Sequence, residues 1–289
     1  SILTPQMDFS FPVLHCQAKA GYKLSYISTK ANSNFFDLQN EDSQMDSSLS
    51  NSFNYRELVN ALYFNVSKNW SKWALKIGLR GEYTLVHTSQ SRNNKNYFNL
   101  FPSFFAGYYP ANSHRLTFSY ARRIQRPPFS YLDPFRYFIS KYNYTEGNPN
   151  LRPSFRHNVE LTYIYKNSLS CKVYYNFGND VFGQYVILDS NNIHLQVQKT
   201  DNFFKEHSLG IGLFYYVNKK WFECTISGEF AYVKDISKSN QLSDCQGIMS
   251  VLSMQNNFQI GKNFVLICNL SEYFPGLYNH RYKRNSFEL

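Results

Sequence analysis

The sequence predicts an all-β, antiparallel fold: part of a transmembrane β-barrel, about twelve strands of a larger barrel arranged as an open curved sheet. Three observations predict it. Apolar and polar residues alternate with a period of two from one end to the other. Connections alternate between short turns and long polar stretches. Aromatic residues make up 18% of the 289 residues, which excludes general disorder. No window approaches 18 uninterrupted apolar residues, so a transmembrane helix is excluded, whereas strands of averaged hydropathy are not.

The clearest strand covers 73–85. Trp73, Leu75, Ile77, Leu79, Tyr83 and Leu85 point one way, while Lys76, Arg80, Glu82 and Thr84 point the other beside Ala74 and Gly78. Full charges among small residues suit a wet lumen better than a sandwich core. Next, Leu116, Phe118 and Tyr120 alternate with Arg115, Thr117 and Ser119. Val159, Leu161, Tyr163 and Tyr165 alternate with Asn158, Glu160, Thr162 and Lys166. Cys171, Val173, Tyr175 and Phe177 oppose Lys172 and Asn176. Leu209, Ile211, Leu213, Tyr215 and Val217 oppose Ser208, Gly210 and Gly212. Finally, Phe222, Cys224, Ile226, Phe230 and Tyr232 oppose Glu223, Thr225, Ser227 and Glu229. No long segment keeps the spacing of an amphipathic helix. Leu75, Ile77, Leu79, Leu161, Tyr163, Leu213 and Phe230 are therefore expected to face lipid, with Lys76, Arg80, Glu82, Glu160 and Glu229 inside.

The short connections are 68–71, 111–113, 166–168, 218–220 and 261–263, rich in Asn, Ser, Gly and Lys. The long ones are 31–52, 89–96, 127–154 and 237–246. Short turns at one end and long loops at the other are the plan of outer-membrane barrels, with strands here of roughly 10 to 17 residues. Trp70, Trp73, Tyr108, Tyr109, Tyr165, Tyr215, Tyr216 and Trp221 lie near the turns and are expected to form an interfacial girdle. A large soluble β-sheet that packs the same aromatics stays open on pattern alone. Tracked through the turns, the chain starts and stops on the loop side. Both ends read as cuts, and the first and last strands are expected to be unpaired edges.

One segment breaks the alternation. It carries Arg122, Arg123, Arg126 and Pro127; then Leu132, Pro134 and Phe135; then Glu146, Gly147, Asn148, Pro149, Leu151 and Pro153; and Asn158, Glu160 and Leu161. Its prolines and aromatics predict an ordered loop folded against the rim or into the lumen. These motifs resemble the signature of the outer-membrane β-barrel family allied to the TonB-dependent receptors, of the Bacteroidota type. The stretches beginning at Asn96 and Ser50 are similar to the preceding strands of that family, so the resemblance covers nearly the whole chain. It implies a transporter barrel of 22 strands, with an N-terminal plug and a TonB box. Residues 1–289 then form one partial outer-membrane barrel domain, the plug and remaining strands lying outside it. The resemblance implies location in the bacterial outer membrane. Its implied partners are lipid, lipopolysaccharide, the plug domain, a TonB-type energy-coupling protein and a surface lipoprotein. It also implies a role in ligand uptake; a structural or adhesive barrel, or a soluble carbohydrate-binding sheet, are the rivals.

Enzyme chemistry finds no foothold. There is no P-loop, dinucleotide fingerprint, HExxH or GxSxG. The seven histidines form no i,i+4 pair and the five cysteines no CxxC, so neither metal nor cofactor is expected. The net charge of +10 admits anionic headgroups, nucleic acid or acidic ligands. Nucleic acid is not expected, because the basic residues are spread along the chain without a recognition motif. The ligand-binding candidates are Arg122, Arg123, Arg126, Arg136, Tyr137, Tyr142, Tyr144 and Arg152. Guanidinium forks bind carboxylates and aromatics stack on sugars. The same arginines could instead tie the loop to the barrel wall.

Overall fold

The computed structural model describes residues 1–37, 44–89, 95–189, 194–240, 242–278, 281–283 and 286–288. In chain order the strands begin with β1 (Ile2–Leu3), β2 (Gln6–Val13), β3 (Cys16–Asp37) and β4 (Gln44–Asn69). β5 (Trp73–Thr88), β6 (Lys95–Ala111) and β7 (His114–Gln125) follow, then a single-turn helix α1 (Phe129–Leu132). After β8 (Arg136–Ser140) and β9 (Asn143–Glu146) come β10 (Ser154–Tyr165), β11 (Leu169–Leu188), β12 (Gln196–Lys219) and β13 (Phe222–Ser237). β14 (Cys245–Ile260), β15 (Phe264–Tyr273), β16 (Gly276–Tyr278), β17 (Arg281–Lys283) and β18 (Ser286–Glu288) complete the chain.

Twelve long strands, β2 to β7 and β10 to β15, run as one up-and-down meander within a 16-stranded sheet. The sheet is open: among the described residues no pairing joins β2 to β15. Directly opposed residues share a face, so the ladder registers sort the side chains. Ile77, Leu79, Leu161, Tyr163, Leu213 and Phe230 are exposed on the outer face, and Leu75 is half-exposed. Glu82 is buried on the inner face, Arg80, Glu160 and Glu229 are half-buried there, and Lys76 stays open to the interior. Apart from the small hairpin β16–β17, the described strands form no second sheet. Among the described residues no element covers the outer apolar face, so no facing sheet packs it as a sandwich core would. On the inner face, tyrosine rings lie on glycines of the next strand. Tyr63 covers Gly21 and Tyr174 covers Gly210, so close that a Cβ at either glycine would collide with the ring.

Three expectations need correction. First, β3, β4, β11 and β12 are 22, 26, 20 and 24 residues long, beyond the expected range. The segment 31–52 is mostly strand, from Ala31↔Phe53 up to Asp37↔Gln44; its tip, and the centre of 89–96, lie outside the described residues. Hydropathy alternates only where one face meets lipid, so a ladder that continues into water loses the signal while keeping its hydrogen bonds. Second, Tyr109 and Tyr216 do not join the girdle. They are sequence neighbours of Tyr108 and Tyr215 and so lie on the opposite, inner face, Tyr109 over Gly107 and Tyr216 donating to Glu223 at 2.8 Å. Third, the last long strand is not wholly an edge, because β18 pairs with its upper end from Ser271↔Glu288 to Tyr273↔Ser286.

Candidate functional site

The loop 127–153 is a folded module rather than a tether. Its two motif halves bind each other through the backbone: Gly147 N–H donates to Asp133 C=O at 3.0 Å, and Asn148 N–H to Tyr131 C=O at 2.7 Å. Asp133 caps the turn by accepting from Phe135 N–H at 3.1 Å and from the Tyr137 hydroxyl at 2.9 Å. Leu132, Phe135 and Leu151 pack with Phe53 and Tyr55 of β4 in one buried cluster. Tyr131 meets Phe182 of β11 edge-on, and Phe138 at the hairpin meets Phe35 of β3. At the far side β9 pairs in parallel with β12, with Tyr144 opposite Val197. A module that touches both β3 and β12 spans the inner face of the curved sheet at the loop end. Phe135 and Tyr144 are buried in it.

The sheet holds both ends of this strap. At its start, Arg126 lies between two inner-face carboxylates, Nε 2.7 Å from Glu57 and Nη2 2.6 Å from Glu82. Glu57 is 3% exposed and Glu82 5%, so this is a buried network. Two more side chains join it: the Tyr55 hydroxyl donates to Glu57 at 2.6 Å, and Arg80 Nε to Glu82 at 2.7 Å, while Arg126 Nε meets Glu57 Oε1 as an ion pair without hydrogen-bond geometry. At its end, Asp180 sits on β11 with φ of 54° at a register shift, which turns its carbonyl and carboxylate towards the loop. Ser154 and Asn202 donate to that carbonyl, and Arg152 and Lys238 reach the carboxylate at 3.1 and 2.5 Å.

The eight candidate residues do not form one cluster. Arg126, Arg152 and Tyr137 are engaged in holding the strap, as above. Arg136 pairs with Glu146 at 3.3 Å and stacks on Tyr144, whose hydroxyl donates to Asp189 at 2.8 Å. Burial and that bond push the Tyr144 phenol up to about 12. Arg136 and Tyr144 line a cleft of about 520 Å³ with Lys199 and Asp201. Arg123 belongs elsewhere, to an inner-wall recess of about 450 Å³ with Arg156, Glu160, Lys172, Glu206 and Glu229. Tyr142 is exposed at the hairpin tip. Arg122 closes a gap. The β6–β7 ladder stops at Ser103↔Ala121, although both strands run on, and Arg122 Nη1 donates to the stranded Leu100 carbonyl at 2.6 Å. Its guanidinium lies 5.6 and 4.7 Å from the Phe101 and Phe155 ring centres.

Glu57, Asp180, Asp189 and Asn202 escaped the sequence reading, since each acts on a partner that only folding brings near; Asp133 escaped it although its carboxylate acts locally, on Phe135 and Tyr137. No group of His, Cys, Asp or Glu among the described residues is arranged to hold a metal ion. The site can therefore bind by charge, hydrogen bonds and stacking, and its one strongly perturbed loop group is a phenol held neutral.

A family model described as the outer membrane protein beta-barrel family matches residues 1–288. No curated protein sequence matches the chain. Among solved structures, the outer-membrane ferripyoverdine receptor of Pseudomonas aeruginosa is similar at TM-score 0.64 and 12% identity, over 99% of this chain and 41% of that one. The ferric-catecholate import receptor Fiu from K12 E. coli matches at 0.61 and 10%, over 99% and 47%. The ferric yersiniabactin uptake receptor FyuA from Yersinia pestis matches at 0.60 and 13%, over 98% and 44%. At these identities the likeness is one of fold, and the chain spans less than half the length of each.

Proposed function

The chain belongs to the outer membrane protein β-barrel family and so to the bacterial outer membrane, and from that premise we infer that it forms part of the wall of a TonB-dependent-receptor-like transporter. In this reading the wall does no covalent chemistry. It encloses a polar lumen, in which a plug coupled to a TonB-type protein gates uptake of a ligand too large for diffusion pores. The observation that carries the reading is the strap: a loop-end module built into the inner face, anchored by an ion network on buried carboxylates at one end and a β-bulge at the other. A purely structural wall has no need of a folded module across its mouth. Arg136, Tyr144 and Lys199, around the cleft beside the strap, are the residues proposed to meet an anionic or glycan ligand first, with the exposed Tyr142 nearby. Arg123 meets it later on the inner wall.

The test compares cells carrying the intact gene, the deleted gene and the intact gene without energy coupling. Each accumulates radiolabelled ferric chelates and oligosaccharides from a panel. Uptake of a panel member that needs both the gene and the coupling supports the reading. Equal accumulation of all members in the three strains rejects it in favour of a structural or adhesive barrel.

A further inference from the structure

The outer face carries a second feature, unrelated to the lumen. Directly opposed residues link Arg122 to His157, His157 to Phe177, Phe177 to His207 and His207 to Lys234, one row across β7, β10, β11, β12 and β13. The row one step below on the same face contains Tyr120, Val159, Tyr175, Leu209 and Tyr232. Apolar surface thus gives way to cationic and titratable side chains along a single line. Two tyrosines of the lower row hold the imidazoles of the upper one, Tyr120 at 3.0 Å from His157 Nδ1 and Tyr175 at 2.8 Å from His207 Nδ1. An imidazole that accepts from the tyrosine carries its proton on Nε2, as a donor away from the apolar band. Exposed Lys205 lies one step above His207 on the same face. The outward residues of these five strands, from the turns to the row, include no Asp or Glu.

The height fits a headgroup plane. From Tyr215 to His207 is about 27 Å of strand, or about 20 Å across the membrane at the usual tilt, close to the apolar band of such barrels. Long loops mark the extracellular side, so the row meets the outward leaflet. It spans four strand spacings, about 19 Å, enough for more than one phosphate group.

We propose that this row is a binding site for the phosphate groups of outward-leaflet lipid, with Lys234, Lys205, His207 and His157 as the donors and Arg122 closing one end. Membrane-anchored phosphate is the ligand, because the tyrosine row and the apolar band below it supply contact for acyl chains and none for a free ion.

The test uses the full-length protein in detergent micelles, with bound lipid counted by native mass spectrometry. The probes are bis-phosphorylated lipid A, phosphatidylcholine and inorganic phosphate. Lipid A is expected to be retained over phosphatidylcholine and not displaced by millimolar inorganic phosphate. Among the described residues, the side chains of Lys205 and Lys234 make no hydrogen bond or ion pair, so K205Q/K234Q keeps the fold, checked by heat-shifted gel migration. That variant is expected to lose about five-fold in retention per lysine, H157Q/H207Q to lose retention as well, and the inner-face K172Q to lose none. Equal retention by K205Q/K234Q and wild type overturns the proposal. So does loss in K172Q, or displacement by inorganic phosphate alone.

Discussion

Gly147 shows what a single motif position does. A Cβ there would press on the Asp133 and Tyr131 carbonyl oxygens, the acceptors that join the two halves of the strap. Gly147→Ala is expected to cost about 1–3 kcal/mol and to speed amide exchange across 143–151 while the barrel strands stay protected. Ile211 makes the opposite point on the outer face, where it is 47% exposed to what is lipid in the membrane. It lies mid-band, so Ile211→Arg is expected to destabilise the membrane-embedded protein by about 2–4 kcal/mol, read from urea unfolding in lipid vesicles. The same change at Tyr232, at the edge of the band, should cost about 0–1 kcal/mol. Tyr144 supplies a pH dependence. Its phenol is raised from an ordinary value of 10 to about 12, so the neutral form is the one that docks. Docking strength is full below pH 10 and is lost as pH rises through about 12. Tyrosinate absorbance of Tyr144→Phe should lose one phenol from the late-titrating fraction relative to the unsubstituted protein.

At the scale of elements, the strap depends on its two anchors unequally. Arg126 neutralises carboxylates that water scarcely reaches, and removing it takes away the one cation that the described residues bring to Glu57. Arg126→Gln is expected to destabilise by about 3–5 kcal/mol and to expose the strap to limited proteolysis. Arg152 pairs with Asp180 from a side chain that is 64% exposed, and Lys238 shares that carboxylate. Arg152→Gln should therefore change stability by less than about 1 kcal/mol. The sequence singled out both arginines and the motif around them. It could not separate them, because the difference lies in Glu57, Glu82 and Asp180, which stand 28 to 69 residues away along the chain. One turn was equally hidden: Leu14 and His15 connect β2 to β3 with φ of 46° and 63°, a conformation that neither residue type advertises.

For the whole molecule, the open edges govern behaviour. Among the described residues, the backbone of β2 pairs only with β3, and residues 264–270 of β15 only with β14. In a strand paired on one side, alternate N–H groups lack partners, which is costly in lipid. The 289-residue chain by itself is expected to self-associate in detergent, seen as a concentration-dependent sedimentation coefficient. Amide exchange should be fast at every second residue of Gln6–Val13 and slow in the central strands. A monodisperse monomer with uniform protection of β2 would contradict this.

Periodicity determined the strands, their facing and the lipid-exposed wall, because a strand's side-chain direction alternates with residue number and needs no knowledge of its neighbours. Turn chemistry determined which end is which. The motif 122–161 marked the strap. Only the tertiary structure decided that ladders continue past the lipid, that Arg126 lies between two buried glutamates, and that Arg122, His157, His207 and Lys234 form one line. Those facts depend on register between strands distant in sequence. Register is set by hydrogen bonds summed over whole ladders, a quantity that no local window contains.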